Sequence, residues 1–320
     1  MTNEWLNEIV KKEKGREYDV AVMYSGGKDS SYLLYLLKEV YKLRVVAVYI
    51  DNGFENRNQI DIIRKFPDQM GVEFIAIHPP RDLFVKLYHT LITESDLFRR
   101  EKTNHVCFIC NNVLWCKVTQ YAALNNIPYV ASGLSLTQLS SGRPYSLVNN
   151  KLANSIAERS TKQVLKNALQ NFVKTEIYSL DNDFKEFIDG LNNSISMITT
   201  IYPYIYHQIS VEELKSKIME MGWLPPNGRS IGEYISSGCQ IMSYVIKELE
   251  KIGIVTLNER EQARVMVDSG LLDERSMEFA RYDASKDDVI LSNAIMDEID
   301  VKDYLINKCE EFEKNILYEK

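Results

Sequence analysis

The chain has 320 residues, of which 45% are hydrophobic and 26% charged, enough to bury a sizeable core and to form two domains. Five cysteines in this length do not suggest a disulfide framework, and a reducing compartment fits them better. The formal net charge of -7, without a long Lys/Arg block, argues against a grip on a nucleic-acid backbone and for a small substrate.

At the N-terminus, Glu4, Glu8, Lys11, Lys12, Glu13 and Lys14 surround a short apolar stripe. There is no signal-type apolar core and no stretch long enough to span a bilayer, so the expected location is the cytoplasm, with no membrane partner. The first predicted strand is the apolar run Val20 to Met23. Ser25-Gly26-Gly27-Lys28-Asp29-Ser30 follows it directly and opens a helix patterned by Tyr32, Leu33, Leu34, Leu36 and Leu37. A glycine pair at a strand-to-helix turn lets successive N–H groups point into one concavity, where the helix dipole adds to their pull on an anion. Ser25, Ser30 and Ser31 supply hydroxyls, Lys28 a charge and Asp29 a magnesium ligand. The spacing fits neither GxxxxGK[ST] nor GxGxxG.

A second strand, Val45 to Ile50, is continuously apolar, as a strand covered on both faces must be, and ends in Asp51-Asn52-Gly53-Phe54. In open α/β sheets the ligand lies beyond the carboxyl ends of the strands, so this turn faces the same crevice as the glycine pair. Phe74 to Ile77, stopped by Pro79 and Pro80, is the third strand; Tyr129 to Ser132 before Gly133 is the fourth. Strands alternating with helices from Tyr18 to Gly133 predict a Rossmann-like, doubly wound parallel sheet. Gly133 would let backbone approach a nucleotide closely, or serve only as a turn.

Between the third and fourth strands, Cys107-Phe108-Ile109-Cys110 stands just before an amphipathic helix that carries Cys116. A helix N-terminus lowers thiol pKa, which predicts a thiolate-rich pair serving as metal ligands or nucleophiles; two buried apolar thiols are the alternative. His105 reads as an exposed loop residue, and His78, His89 and His207 as ordinary. The polar stretch Ser135 to Asn154 suggests a boundary near residue 150, with Ser140 to Pro144 a loop over the active site. Residues 1–150 would then form the α/β domain that carries the glycine turn, and 151–320 a mostly helical domain for substrate or oligomerisation. Lys151, Arg159, Lys162, Lys166 and Lys174 read as the solvated face of a helix. Further on, Asn258 and Glu261 form a capping box for a helix that Gly270 ends, while Cys309 shares an apolar face with Leu305, Phe312 and Ile316.

The SGGKDS turn in this context resembles the PP-loop of the ATP pyrophosphatases, or adenine nucleotide alpha hydrolases. That resemblance covers about residues 18–135. It implies a HUP-type fold and MgATP cleaved between the α and β phosphates, with AMP passed to a substrate oxygen. It also implies pyrophosphate held by Ser25, Gly26, Gly27, Lys28, Asp29 and Ser30, and adenosine near Ile50, Asp51, Asn52 and Gly133. The C-x-x-C resembles that of tRNA 2-thiolation enzymes, which implies a [4Fe–4S] cluster on Cys107, Cys110 and a distant third cysteine, here Cys239. Four-thiolate zinc including Cys116, and persulfide chemistry on Cys107 and Cys110, are the alternatives. SGGKDSS, DNGF, Tyr202-Pro203-Tyr204 and Gly222-Trp223 also resemble N-acetyl sugar amidotransferases, although the extra cysteine-rich segment with which those enzymes usually begin is missing. The resulting expectation is ATP-dependent thiolation of a small carbonyl or lactam substrate, nucleobase-like among the candidates, with Lys28, Asp29, Cys107 and Cys110 catalytic. An amidotransferase with a glutaminase partner, a tRNA thiolase and a nucleotide-binding sensor are the rivals.

Overall fold

In a computed structural model, residues 15–55, 59–99, 104–139, 150–224, 229–231, 235–256, 259–274 and 286–318 are described. The Asn258 cap, the N-terminal charges and the Ser140 to Pro144 loop lie outside them. Five parallel strands form the sheet: β1 (Val20–Met23), β2 (Val45–Ile50), β3 (Glu73–Ile77), β4 (Tyr129–Ala131) and β5 (Thr199–Ile201). Their order is β3-β2-β1-β4-β5, so the winding reverses at β1 and opens a crevice between the carboxyl ends of β1 and β4. The four strands expected from sequence are there. The fifth, Thr199-Thr200-Ile201, pairs with β4 from beyond residue 150.

All six residues of β2 are buried, which accounts for its unbroken apolar, mostly β-branched run. The crossovers are α1 (Lys28–Tyr35), α2 (Gln59–Gln69), α3 (Arg81–Thr93) and α4 (His105–Leu124). Leu36–Val40 continues α1 as a π-helical turn. Next come α5 (Asn150–Phe172), α6 (Asn182–Ser194) and α7 (Val211–Glu220), then α8 (Ile246–Lys251), α9 (Glu259–Asp268), α10 (Lys286–Glu298) and α11 (Lys302–Tyr318). Gly270, at φ 69°, closes the turn after α9 as its sequence suggested. No described helix is long and apolar enough to cross a membrane.

One apolar cluster fills each face of the sheet. Ala21, Val46, Val48 and Val130 join α3, α4 and α6 on one face; Val20, Val22, Val45 and Ala47 join Leu33, Leu37, Leu214 and Ile218 on the other. Each fully buried Leu, Ile or Val contributes about 1.5–3 kcal/mol. Helix α4 is the central element of the first cluster, and its buried residues, from Val106 through Val113 and Val118 to Ala122, lie on nearly every side of it. Its sequence is therefore that of an enclosed helix rather than of an amphipathic surface one.

That enclosure corrects several expectations. His105 is the first residue of α4 and is buried, with Nε2 2.9 Å from the Leu91 carbonyl oxygen; burial lowers its pKa. Cys116 packs between α4 and α6, its Sγ 3.7 Å from the Leu191 carbonyl, and burial pushes its thiol up to about 12. Cys309, expected on a packed face, is exposed. Arg159 and Lys166 are exposed along α5 and Lys162 pairs with Glu158 at 2.8 Å, as a solvated helix face would have it.

Candidate active site

The glycine turn begins where β1 ends, and Tyr24 still donates its N–H to the Val48 carbonyl at 2.9 Å. Gly26 then turns the chain at φ 74°, and Gly27 is the extended residue before the first turn of α1. The serines lock the turn internally. Ser25 Oγ and Ser30 Oγ are 3.1 Å apart, Ser30 Oγ donates to the Gly27 carbonyl at 3.1 Å, and Ser31 Oγ donates to that of Gly26 at 3.4 Å. Lys28 is buried, with Nζ 2.6 Å from Asp29 Oδ2; the Asp29 side chain keeps 42% of its exposure. The first-turn N–H groups, an ammonium and a half-exposed carboxylate thus share the mouth of the crevice, a composition suited to a metal-bound polyphosphate. Gly133, after β4, packs on the same turn: a Cβ there would lie 3.4 Å from the Asp29 and Ser30 backbone.

Gly26 tolerates nothing larger. A Cβ there would stand 2.1 Å from Ile63 Cγ2, on a backbone that disfavours side chains. Gly26→Ala should cost about 2–4 kcal/mol, combining left-handed strain with overpacking against α2. Urea unfolding followed by circular dichroism measures it, and a loss below about 1 kcal/mol would contradict the tight approach.

Two residues from the far half of the chain hold this turn, and nothing in the sequence marked their contacts. Trp223 donates its indole N–H to the Gly26 carbonyl at 2.9 Å, and Tyr204 its hydroxyl to the Asp29 carbonyl at 2.6 Å. Both belong to the Tyr202-Pro203-Tyr204 and Gly222-Trp223 segments that flank α7.

The second turn lies beside the first. Ile50 ends β2 in register with Ile77, and Asp51 continues with its N–H on the Ile77 carbonyl at 2.9 Å. Asp51 Oδ1 accepts from the Gly53 N–H at 2.8 Å and Asn52 Oδ1 from that of Phe54 at 2.9 Å, two nested Asx turns. His78, which showed nothing in sequence, places Nδ1 3.1 Å from Asp51 Oδ2.

Asn52 links this turn to the cysteines. It is buried, and its amide N–H donates to Tyr88 Oη at 3.0 Å and toward Cys239 Sγ at 3.8 Å. Tyr88 Oη in turn lies 3.0 Å from Cys110 Sγ. Cys239 is held there by an antiparallel bridge to Glu55 and by the adjacent Gln240 N–H on the Phe54 carbonyl at 2.7 Å. Cys107 caps the group in the first turn of α4, its N–H on Asn104 Oδ1 at 3.1 Å and its Sγ 3.6 Å from Met242 Sδ. The C-x-x-C therefore lies inside α4 rather than before it. Burial raises the Tyr88 hydroxyl well above its usual pKa, and its proximity to Cys110, Cys239 and Cys107 adds to the rise. Cys116 is apart from them, at Leu191.

At Cys110 burial works against the thiolate that the helix terminus led one to expect. Burial pushes the Cys110 thiol up to about 11 and that of Cys239 up to about 12, outweighing the helix terminus because desolvation penalises the charged form. Burial, then the Asp51 charge, raises Glu55 to about 7. Three thiols are suitable donor chemistry for an iron–sulfur cluster. Yet among the described residues no three Cys, His, Asp or Glu side chains form a group that could hold a metal ion, and the Tyr88 hydroxyl lies among the thiols. This arrangement does not fit a single zinc ion.

No family model matches the chain. An uncharacterised protein of Methanocaldococcus jannaschii is 27% identical over 125 residues, which are 39% of this chain and 41% of that protein. A glutamine-hydrolysing GMP synthase polypeptide of Thermoplasma acidophilum is 35% identical over 68 residues, 21% of each chain. The SGGKDS turn, seated at the switch point of a 3-2-1-4-5 parallel sheet, and this local likeness agree with the resemblance to the PP-loop ATP pyrophosphatases. The chain spans between about a fifth and about two fifths of the length of these relatives. Among solved structures, the U34-tRNA thiolase NcsA from Methanococcus maripaludis, with its [4Fe-4S] cluster, superposes with a TM-score of 0.40 at 19% identity, over 89% of this chain and 81% of that one.

Proposed function

We propose that this PP-loop protein adenylates a small carbonyl or lactam substrate with MgATP and then replaces the activated oxygen with sulfur. Residues 1–150 would bind ATP and residues 151–320 would serve substrate binding or assembly. In this reading Ser25, Gly26, Gly27, Lys28, Asp29 and Ser30 hold the β and γ phosphates, with Asp29 toward Mg2+; Ile50, Asp51, Asn52 and Gly133 line the adenosine. The substrate oxygen attacks the α phosphorus and pyrophosphate leaves. This step converts a poor leaving group, oxide, into a good one, AMP. The observation that supports the second step is the Asn52 side chain, which bonds Tyr88 and reaches Cys239, so that the thiols adjoin the turn proposed here for adenosine.

Sulfur would arrive as the terminal atom of a persulfide on Cys107 or Cys110, loaded by an external sulfane donor. It attacks the activated carbon, AMP leaves with the oxygen, and a neighbouring thiol cleaves the resulting S–S bond to release the thiocarbonyl. The cysteine disulfide so formed is returned to thiols by an external thiol reductant. Raised thiol pKa values suit storage of the resting protein without stray alkylation or oxidation, since thiols are far less reactive than thiolates. A second reading, transfer of ammonia supplied by a glutaminase partner onto an N-acetyl sugar, is favoured by the likeness to a glutamine-hydrolysing GMP synthase. Both readings predict the same nucleotide products. Turnover of MgATP followed by phosphorus NMR should yield AMP and pyrophosphate; ADP and phosphate would overturn both.

A further inference from the structure

We propose that Trp223 and Tyr204 are positioning residues that set the anion affinity of the PP-loop by fixing the direction of its peptide groups. The proposal rests on the pyrophosphate-binding reading of that loop. In a trans peptide the carbonyl and the following N–H point in opposite directions. Trp223 pins the Gly26 carbonyl, and so aims the Gly27 N–H the other way; Tyr204 pins the Asp29 carbonyl, and so aims that of Ser30. The Gly26–Gly27 peptide most needs such a hold. Neither residue has a Cβ, so beyond two long contacts, Ser31 Oγ on the Gly26 carbonyl and the Gly27 N–H on Ser25 Oγ, both 3.4 Å, little opposes a flip that would present a carbonyl dipole to the phosphates.

The clamp is itself firmly seated. Trp223 and Tyr204 are buried, and α7 between them packs Leu214 and Ile218 among Leu33, Leu37 and Ile63. Gly222 ends α7 at φ 87°, which turns Trp223 back so that its own N–H reaches the Ile218 carbonyl at 2.9 Å. Tyr204 is further braced by Tyr32, whose ring stacks on it at 6.3 Å and whose hydroxyl meets His207 Nε2 at 3.0 Å. The indole and phenol therefore carry no reacting role of their own; they act through the loop.

Titration calorimetry of the full chain with magnesium pyrophosphate tests this. Trp223→Phe and Tyr204→Phe each remove one hydrogen bond while keeping an aromatic ring, and each should weaken pyrophosphate binding roughly five- to tenfold. Trp115→Phe is the control, because Trp115 is equally buried but donates to Thr200 Oγ1 at 2.9 Å against the edge strand. Its affinity should stay within twofold of wild type. Indole fluorescence should shift when pyrophosphate binds wild type and lose that shift in Trp223→Phe. Should Trp223→Phe fail to fold, the milder Tyr204→Phe decides. Unchanged affinity in folded Trp223→Phe and Tyr204→Phe, or an equal loss in Trp115→Phe, overturns the proposal. Wild-type protein that binds neither pyrophosphate nor MgATP overturns the pyrophosphate reading itself, and the clamp with it.

Discussion

Lys28→Met should slow cleavage of MgATP to AMP and pyrophosphate by at least about a hundredfold, and Asp29→Asn by a comparable factor, with the fold retained. The ammonium is buried beside the glycine turn, where, in the proposed site, an oriented charge would act on developing negative charge at low screening. Methionine keeps the buried stem of the side chain, so the packing of α1 should survive. Asp29, left without its ion-pair partner, is exposed enough to stay hydrated. Asparagine at 29 keeps the shape but surrenders the charge a magnesium ion requires. The rate of pyrophosphate release measures the effect, and thermal unfolding by circular dichroism checks the fold. Variants within threefold of wild type would exclude Lys28 and Asp29 from the chemistry.

Cys110→Ser should abolish sulfur-containing product, by more than about a hundredfold, while acceptor-dependent formation of AMP persists within a few fold. A serine hydroxyl can replace the thiol in the contact with the Tyr88 hydroxyl, so the local network survives. It cannot carry a persulfide. The assay supplies labelled sulfide, labelled ammonia, a persulfide donor and an ultrafiltered small-molecule extract to wild type and variant, and reads product mass. Nitrogen in place of the oxygen in the wild-type product would defeat sulfur transfer and promote the amidotransferase, in which Cys110→Ser should act only through stability.

The PP-loop, the DNGF turn and four strands were legible because each is encoded by contiguous residues: an apolar run, then a turn whose glycines and polar side chains have one local use. What escaped was whatever depends on distant partners. Three-residue β5 carries too few side chains for a periodic signal, and only pairing with β4 makes it a strand. The helix terminus at Cys107 was visible, but the burial that raises Cys110 and Cys239 was not, because it depends on elements distant in sequence that the fold packs around them. His105 was misread for the same reason, being buried by contacts with the end of α3. Trp223 and Tyr204 were noticed as a pattern, yet their hydrogen bonds to the loop had no sequence signature at all.

Those two hydrogen bonds also bear on how the molecule comes into being. They join positions 197 and 175 residues apart. Closing so long a stretch of chain carries a large entropic cost that only a nearly assembled core repays, so these contacts belong to the late steps of folding. During synthesis, β1 to β4 can emerge and pair while the residues that fix the loop's carbonyls have yet to be made. A ribosome-bound intermediate would then possess the glycine turn without its directed amides. Such a chain would have little hold on ATP until the region around Trp223 had been translated and docked, and nucleotide would stabilise the finished protein far more than any of its precursors.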